Sequence, residues 1–475
     1  ISGGQGSGVD SLSSAPSSII NWEVDEAGIN RPRAGLASYS VTGLTTSYPV
    51  RGLQYWKDHV IAVTSDRYVW AIPDATPAYA QAGSTSSTAT QVEGAATQFT
   101  FALGDSYIYI AGGGRIQRWS PAIVNSEVLS SSPRCTHVVA LNQYLIANDT
   151  STANASTVWW SEIGEGTWTT WPAANNLNAD ARPVPVKAIS ENTAERYIFG
   201  SETLQIHALG SDPTFPFELV TTINVGIGAP YAACRMESNF AFLDNRRRIV
   251  LSDGRSVEPI SDAIQRDIRN LSTISDCRMF REERGQQSLL VVRFPTAART
   301  FVYNLLTKQW RERDYYASPF HADYPVTSHA YWPSLNYNVY GSSLSSYGLL
   351  RANDDSRQDV SGALVCDFVT GWQDFGTGDR KQSNEIRIIM RRGTATTSTP
   401  GTLEVRRQCD DGPWSDWQQV SIGAASDYKQ VMRLFMRRIF RRCRYELRYT
   451  NTDDTAIVGL YDDITPLSDS AAAAA

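Results

Sequence analysis

Apolar and polar positions fall into short runs along most of the chain, and the runs come in pairs. "HVIAVTSDRYVWAI" begins at His59, "SYIYIAGGGRIQRWS" at Ser106, "YLIANDTSTANASTVWWS" at Tyr144 and "YIFGSETLQIHAL" at Tyr197. "FAFLDNRRRIVLSDG" follows from Phe240, "LLVVRFPTAARTFVYN" from Leu289 and "YNVYGSSLSSYGLL" from Tyr337. In each, an apolar or alternating run meets Gly, Asn, Asp or Ser turn residues and then a second run, which predicts a β-hairpin. Successive starts lie 47, 38, 53, 43, 49 and 48 residues apart. A period of roughly 40–50 residues with four short strands marks a propeller blade, because radial repetition covers the faces of each sheet with its neighbours. Six or seven blades are expected between about residues 49 and 360. The Gly-His and Trp-Asp punctuation of WD40 repeats is absent. A pair of β-sandwiches is the rival arrangement, and the regular spacing favours the propeller.

One stretch breaks the β pattern. In "ISDAIQRDIRNLS", Ile260, Ile264, Ile268 and Leu271 recur at helical spacing, with Ser261 or Asp262 available as a cap. After the polar, breaker-rich "RANDDSRQDVSGA" the texture changes to short amphipathic strands: "NEIRIIMRR", "GTLEVRRQ", "CRYELRY" and "AIVGLYDDI". The expected organisation is all-β: an extended N-terminal arm (1–48), a β-propeller (49–362), a β-sandwich (363–467) and a C-terminal tail (468–475).

Composition adds bounds. At 475 residues the chain exceeds one ordinary core. Its 42% hydrophobic and 19% charged residues suit a folded protein, and no run reaches the ~18 apolar residues of a membrane span. The opening "ISGGQGSGVDSLSSAPSS" lacks the basic start and apolar run of a signal peptide and reads as a flexible arm. The chain opens on Ile1 rather than Met, so translation is expected to begin upstream. Six cysteines, at 135, 234, 277, 366, 409 and 443, form no CxxC pair and read as scattered thiols inside strands, in keeping with assembly in a cytoplasm.

The segment "RLFMRRIFRRCRYELRY", Arg433 to Tyr449, holds seven arginines in seventeen residues, although the chain carries a net charge of −6. Within it Cys443, Tyr445, Leu447 and Tyr449 alternate with Arg442, Arg444, Glu446 and Arg448, the pattern of a half-buried strand with a basic outer face. Leu434, Phe435 and Ile439 fit a bend or helical turn as well as a strand. Arg437, Arg438, Arg441, Arg442, Arg444 and Arg448 are therefore the candidate interface or DNA-facing residues. The competing reading pairs them with nearby acids, such as the four Asp of "TNTDDTAIVGLYDDI".

This closing segment resembles that of the tail-hub, or nozzle, proteins of short-tailed bacteriophages, also called packaged-DNA stabilisation proteins. "DDGPWSDWQQVSIG" resembles the hairpin those proteins carry ahead of it. "RYIFGSETLQIHALGSDPTFPFELV" (Arg196–Val220) is similar to their mid-chain blade, and "NWEVDEAGINRPRAGLASY" (Asn21–Tyr39) to their N-terminal segment. This chain has Ala34-Gly35 where Pro-Gly is expected of the family. The resemblance implies a structural virion protein of the tail, assembled in the host cytoplasm, without catalytic residues, metal or cofactor. It implies a homo-hexameric ring below the portal and its head-to-tail adaptor ring, in contact with a tail needle or plug and with tail fibres or spikes. Such a ring retains packaged DNA and conducts it during ejection, passing the duplex without sequence-specific binding. A net charge of −6 suits a conduit, since a basic wall would hold phosphates.

An enzyme is the serious alternative, because propellers also host glycosidases and sialidases. "CDDGPWSDW" and "SEIGEGTWTTW" loosely resemble sialidase Asp-box turns, which are structural hairpin tips. Catalysis would need arginines, a Tyr nucleophile and a Glu base converging at the ring axis. No HExxH, GxSxG or P-loop occurs, and "AGGGRIQRW" is followed by a strand pattern rather than a helix. A glycan-binding receptor would present exposed aromatics. Trp159, Trp160, Trp168 and Trp171 are candidates, with core packing between blades as the simpler role.

Overall fold

The computed structural model describes residues 18–467 except 26–27, 40–43, 45–47, 75–79, 82–91, 95–96, 124, 180–183, 193, 213–215, 318–319, 345, 354–356, 361, 393–400, 423–428 and 451–454. The opening stretch expected to be flexible (1–17) and the C-terminal tail (468–475) lie outside them. Two compact units are present: Ser38–Trp310 with Pro325–Arg351, and Ile1–Ala37 with Arg311–Tyr324 and Ala352–Ala475.

The first unit is a β-propeller of seven blades. Its sheets begin with Val50–Trp56, Thr100–Leu103, Val138–Leu141, Ala188–Glu191, Ala233–Met236, Arg278–Arg284 and Val326–Trp332. In each blade four strands follow in simple order, those of the sixth being the first four of a nine-stranded sheet; the seventh takes Gly35–Tyr39, from early in the chain, as its outermost strand. The first strands contact one another in sequence around the ring, and Val326–Trp332 returns to Val50–Trp56. All seven hairpins read from the sequence are the second and third strands of these sheets.

Turn chemistry and burial explain why these segments became blades. Lys57-Asp58 (φ 41° and 61°) and Asn142-Gln143 (φ 50° and 64°) are two-residue loops with both positions left-handed, the geometry that matches strand twist in a tight hairpin. Second strands are buried on both faces. Val60 and Ala62 enter one core with Trp332, Val339 and Leu349, whereas Ile61 and Val63 enter the next with Phe99, Ile108 and Ile110. Ring closure is thus a packed core like the others, reinforced by Tyr39, whose ring lies 5.5 Å from Trp332. Gly52 sits at a register shift, where an added Cβ would come 2.9 Å from Phe99 Cβ; a side chain there would force two blades apart.

The helical pattern near residue 260 becomes a short helix, Gln265–Asn270, behind a 3₁₀ turn, with Ile264 and Ile268 buried. Ser261 does not cap it; its hydroxyl donates to Gln265 Oε1 (2.7 Å). Trp160, Trp168 and Trp171 are buried, Trp168 and Trp171 in the core shared by the second and third blades. The Asp-box-like "SEIGEGTWTTW" has a linking role: Glu165 accepts from the amides of Ser106 (2.7 Å) and Tyr107 (2.8 Å) on the preceding blade.

The second unit is a β-sandwich. One sheet orders Ser18–Ile20, Cys366–Val369, Cys443–Tyr449, Thr402–Cys409 and Gln418–Ser421. The other orders Trp22–Val24, Asn30–Pro32, Thr455–Pro466, Lys381–Arg392 and Lys429–Leu434, with Arg438–Phe440 also paired to Lys381–Arg392. Phe368, Leu403, Val405, Tyr445 and Leu447 from the first meet Ile386, Ile388, Met432, Leu434 and Leu460 from the second.

Candidate functional site: an arginine–tryptophan face and the propeller axis

Cys443, Tyr445, Leu447 and Tyr449 are fully buried in the sandwich core, so alternation puts Arg442, Arg444 and Arg448 on the outer face. Asp410 and Asp411, both left-handed (φ 50° and 59°), turn the chain after Cys409 so that Trp414 and Trp417 fold back over that face. Gln408 Nε2 donates to the Gly412 carbonyl (2.6 Å), and Ser415 N to that of Arg407 (2.8 Å).

The result is a stack of alternating rings and guanidinium groups. Arg442 and Arg444 each lie 4.9 Å from the Trp372 ring, and Arg444 also 5.1 Å from Trp414. Arg406 lies between Trp414 (4.9 Å) and Trp417 (4.3 Å), and Arg448 covers Trp417 at 4.8 Å. Each cation also has a polar partner. Arg442 pairs with Asp411, Arg406 with Glu446 (2.6 Å), Arg448 with Asp367 (2.8 Å), and Arg444 donates to Gln408 Oε1 (2.8 Å). Arginine suits this arrangement because its planar, weakly hydrated group stacks and pairs at once. Charge held this way is poorly available to neutralise phosphates.

The remaining candidates differ. Arg441 donates to the Gly378 carbonyl (2.8 Å). Arg437 and Arg438 are exposed and make no ion pair with a described residue; beside them Phe435 (68% exposed), Ile439 and Val431 also face solvent. Basic and apolar groups together suit a protein contact better than a phosphate track. The acids of "TNTDDTAIVGLYDDI" supply none of the pairs above. Asp453 and Asp454 lie outside the described residues, and Asp462 points inward, accepting from Ser383 Oγ (2.6 Å) and the Tyr445 hydroxyl.

Arg448 also begins a charge network that runs from the surface to the buried Arg33 and Asp359. Its partner Asp367 shares His321 with Asp314, and these two carboxylates push the imidazole up to about 10, so it is cationic at neutral pH. Asp314 accepts from Asn21 Nδ2 (2.6 Å), and Asn21 Oδ1 accepts from Arg33 Nε (2.9 Å). Arg33 then grips Asp359 with both terminal nitrogens (3.0 and 2.6 Å). Burial opposes the Arg33 charge, yet Asp359 holds its pKa above the ordinary value.

At the propeller axis, first-strand residues of all seven blades line a cavity of about 340 Å³. Phe101 and Phe280 share it with His137, Tyr231, Glu191 and Arg278. Burial, with Arg293 and Arg51 nearby, pushes Arg278 down to about 10, and burial raises Glu191 to about 7. Tyr231 is stacked on His137 (5.1 Å), its phenol raised to about 12 by burial. Among the described residues Glu191 Oε2 has no hydrogen-bond partner.

Sequence reasoning isolated the arginines but not their ring partners; the "WSDW" spacing, which puts Trp414 and Trp417 on the returning segment, was the available signal. Among the described residues no His, Cys, Asp and Glu cluster has metal-site geometry, and no helix is long and apolar enough to cross a membrane.

The chain is thus an all-β protein, a seven-bladed propeller and a sandwich, in which Arg406, Arg442, Arg444 and Arg448 stack on tryptophans of the sandwich face. The chain belongs to the family described as Phage_stabilise, Bacteriophage P22 Gp10, beta-propeller, which matches residues 75–317. It is therefore a structural, stabilising component of a phage tail. No curated protein matches the chain. Among solved structures, a computationally designed protein, Ika8, is 10% identical over 67% of this chain and 99% of its own, with a TM-score of 0.41. Two structures of the extracellular domain of BT4673 from B. thetaiotaomicron, described as a putative one component system and a putative hybrid two component system, are 10% and 9% identical. Both cover 74% of this chain and 43% of their own, with TM-scores of 0.44 and 0.45.

Proposed function

We propose that the chain is the subunit of a homo-hexameric nozzle ring, below the portal and its adaptor ring, that retains packaged DNA and conducts it at ejection. The family match supports the tail role, and the axial cavity supports a conduit made between subunits. A cavity of about 340 Å³ lined by side chains of all seven blades is too small to pass a duplex whose major groove alone is ~12 Å wide. The net charge of −6 and the stacked arginines favour sliding over adhesion. Retention then falls to a plug rather than to the wall, and the exposed Phe435, Ile439, Arg437 and Arg438 suit a subunit or appendage contact. The role is mechanical and needs no catalysis, cofactor or metal. Particles assembled without this chain should lose their genome to added nuclease, and the purified chain should restore protection; genome retention without it would refute the role.

A further inference from the structure

Strands Thr402–Cys409 and Cys443–Tyr449 pair antiparallel, and their register sets Cys409 directly opposite Cys443. Cys443 N donates to the Gln373 carbonyl (3.0 Å) and Gln373 N donates to that of Cys443 (2.8 Å), so both backbone groups of Cys443 face away from Cys409. At the adjacent position Asp410 N donates across to Arg442 O (3.0 Å). The cysteines therefore form a non-hydrogen-bonded cross-strand pair, the kind whose Cα atoms lie ~4.5 Å apart with side chains drawn together. That spacing falls within the range a disulfide spans. Both side chains lie in the same sandwich core, and both are free thiols. Cys443 Sγ donates to the Tyr445 hydroxyl (3.0 Å), which in turn donates to Asp462.

We propose that Cys409 and Cys443 are a redox modification site that closes to a cross-strand disulfide by exchange with a low-molecular-weight disulfide. Cys409, at the end of its strand beside the exposed Asp410–Asp411 turn, is the attacking group: the adjacent Cys443 thiol, with Arg407 and Arg438 nearby, lowers its pKa, whereas burial raises that of Cys443. Its thiolate displaces one small thiolate and forms a mixed disulfide. Cys443 passes its proton through the Tyr445 hydroxyl to the Asp462 carboxylate, attacks the Cys409 sulfur and releases the second small thiolate, which takes up a proton in solvent. Two protein thiols and one small disulfide thus become one protein disulfide and two small thiols. A reducing cytoplasm keeps the pair open during folding, and closure follows release from the cell. That timing rests on the virion reading; the bond itself does not.

The test uses the whole purified chain, incubated with oxidised glutathione under native conditions, with free thiols counted and peptides mapped by mass spectrometry without reduction. Two of the six thiols should disappear, with a linked peptide pair containing Cys409 and Cys443, and the melting temperature should rise by at least about 5 °C, reversed by dithiothreitol. Cys409→Ser and Cys443→Ala should each abolish the linked pair. Six persisting thiols in the wild type, or a linkage through other cysteines, would overturn the proposal; the wild-type readout holds even if a variant fails to fold. Because the bond is read on the isolated chain, a failed genome-retention assay leaves this result standing, and the reverse.

Discussion

Replacing Arg33 by methionine tests how the sandwich is held. All five N–H groups of this arginine are used: Nε on Asn21, one terminal nitrogen on Ala34 O and Asp359, the other on Asp314 O and Asp359. Both side chains of the ion pair are almost fully buried, at 1% and 2% exposure. Methionine fills similar volume but leaves the Asp359 carboxylate inside, where the Leu36 amide still donates to it (3.1 Å). Breaking one partner of such a pair costs ~3–5 kcal/mol. Hydrogen exchange in peptides spanning residues 19–36 and 357–369 should therefore accelerate by about 10²–10³-fold. The double variant Arg33→Met/Asp359→Leu should recover most of the loss, since the stranded charge is gone. Exchange changed by less than about 3-fold, or a double variant as damaged as the single, would refute the reasoning.

Three further outcomes are expected. Arg196 is fully buried on the Phe217 ring (3.9 Å) with none of its side-chain nitrogens hydrogen-bonded to a described residue, and burial pushes it down to about 9; Arg196→Met should stabilise the propeller by at least ~1 kcal/mol in urea titrations. Asp314 and Asp367 raise His321 from 6.5 to about 10, so its contribution is complete below pH 6.5 and is lost as pH rises through 10. Wild-type stability should fall across that window more steeply than that of His321→Asn, and the imidazole NMR shifts should stay cationic through pH 8. Trp414→Ala removes one ring from both Arg406 and Arg444 and should cost ~1–2 kcal/mol by chemical denaturation.

The propeller was legible because its second strands are continuous apolar runs bounded by turn residues, as at His59–Thr64 and Asn239–Leu243. Outer strands such as Glu127–Val128 are short and exposed, so no apolar alternation announced them. Residues 18–39 carry strands whose partners lie far along the chain, as Asn21 and Asp314 do, and no local pattern encodes such pairing. At the arginine segment, period two gave the buried face correctly, because one face of a strand must enter the core. What the outer arginines touch was not readable, since Trp372 and Asp367 come from other segments, and the Cys409–Cys443 register depends on a strand pairing that residue spacing does not specify.

The most direct test of the central claim is the mass and negative-stain image of the purified chain at micromolar concentration, alone and mixed with an isolated portal–adaptor complex. Closed rings of six copies of the 52.5 kDa chain, around a bore wide enough for a duplex, are the expected result. A chain that stays monomeric in both conditions would contradict it.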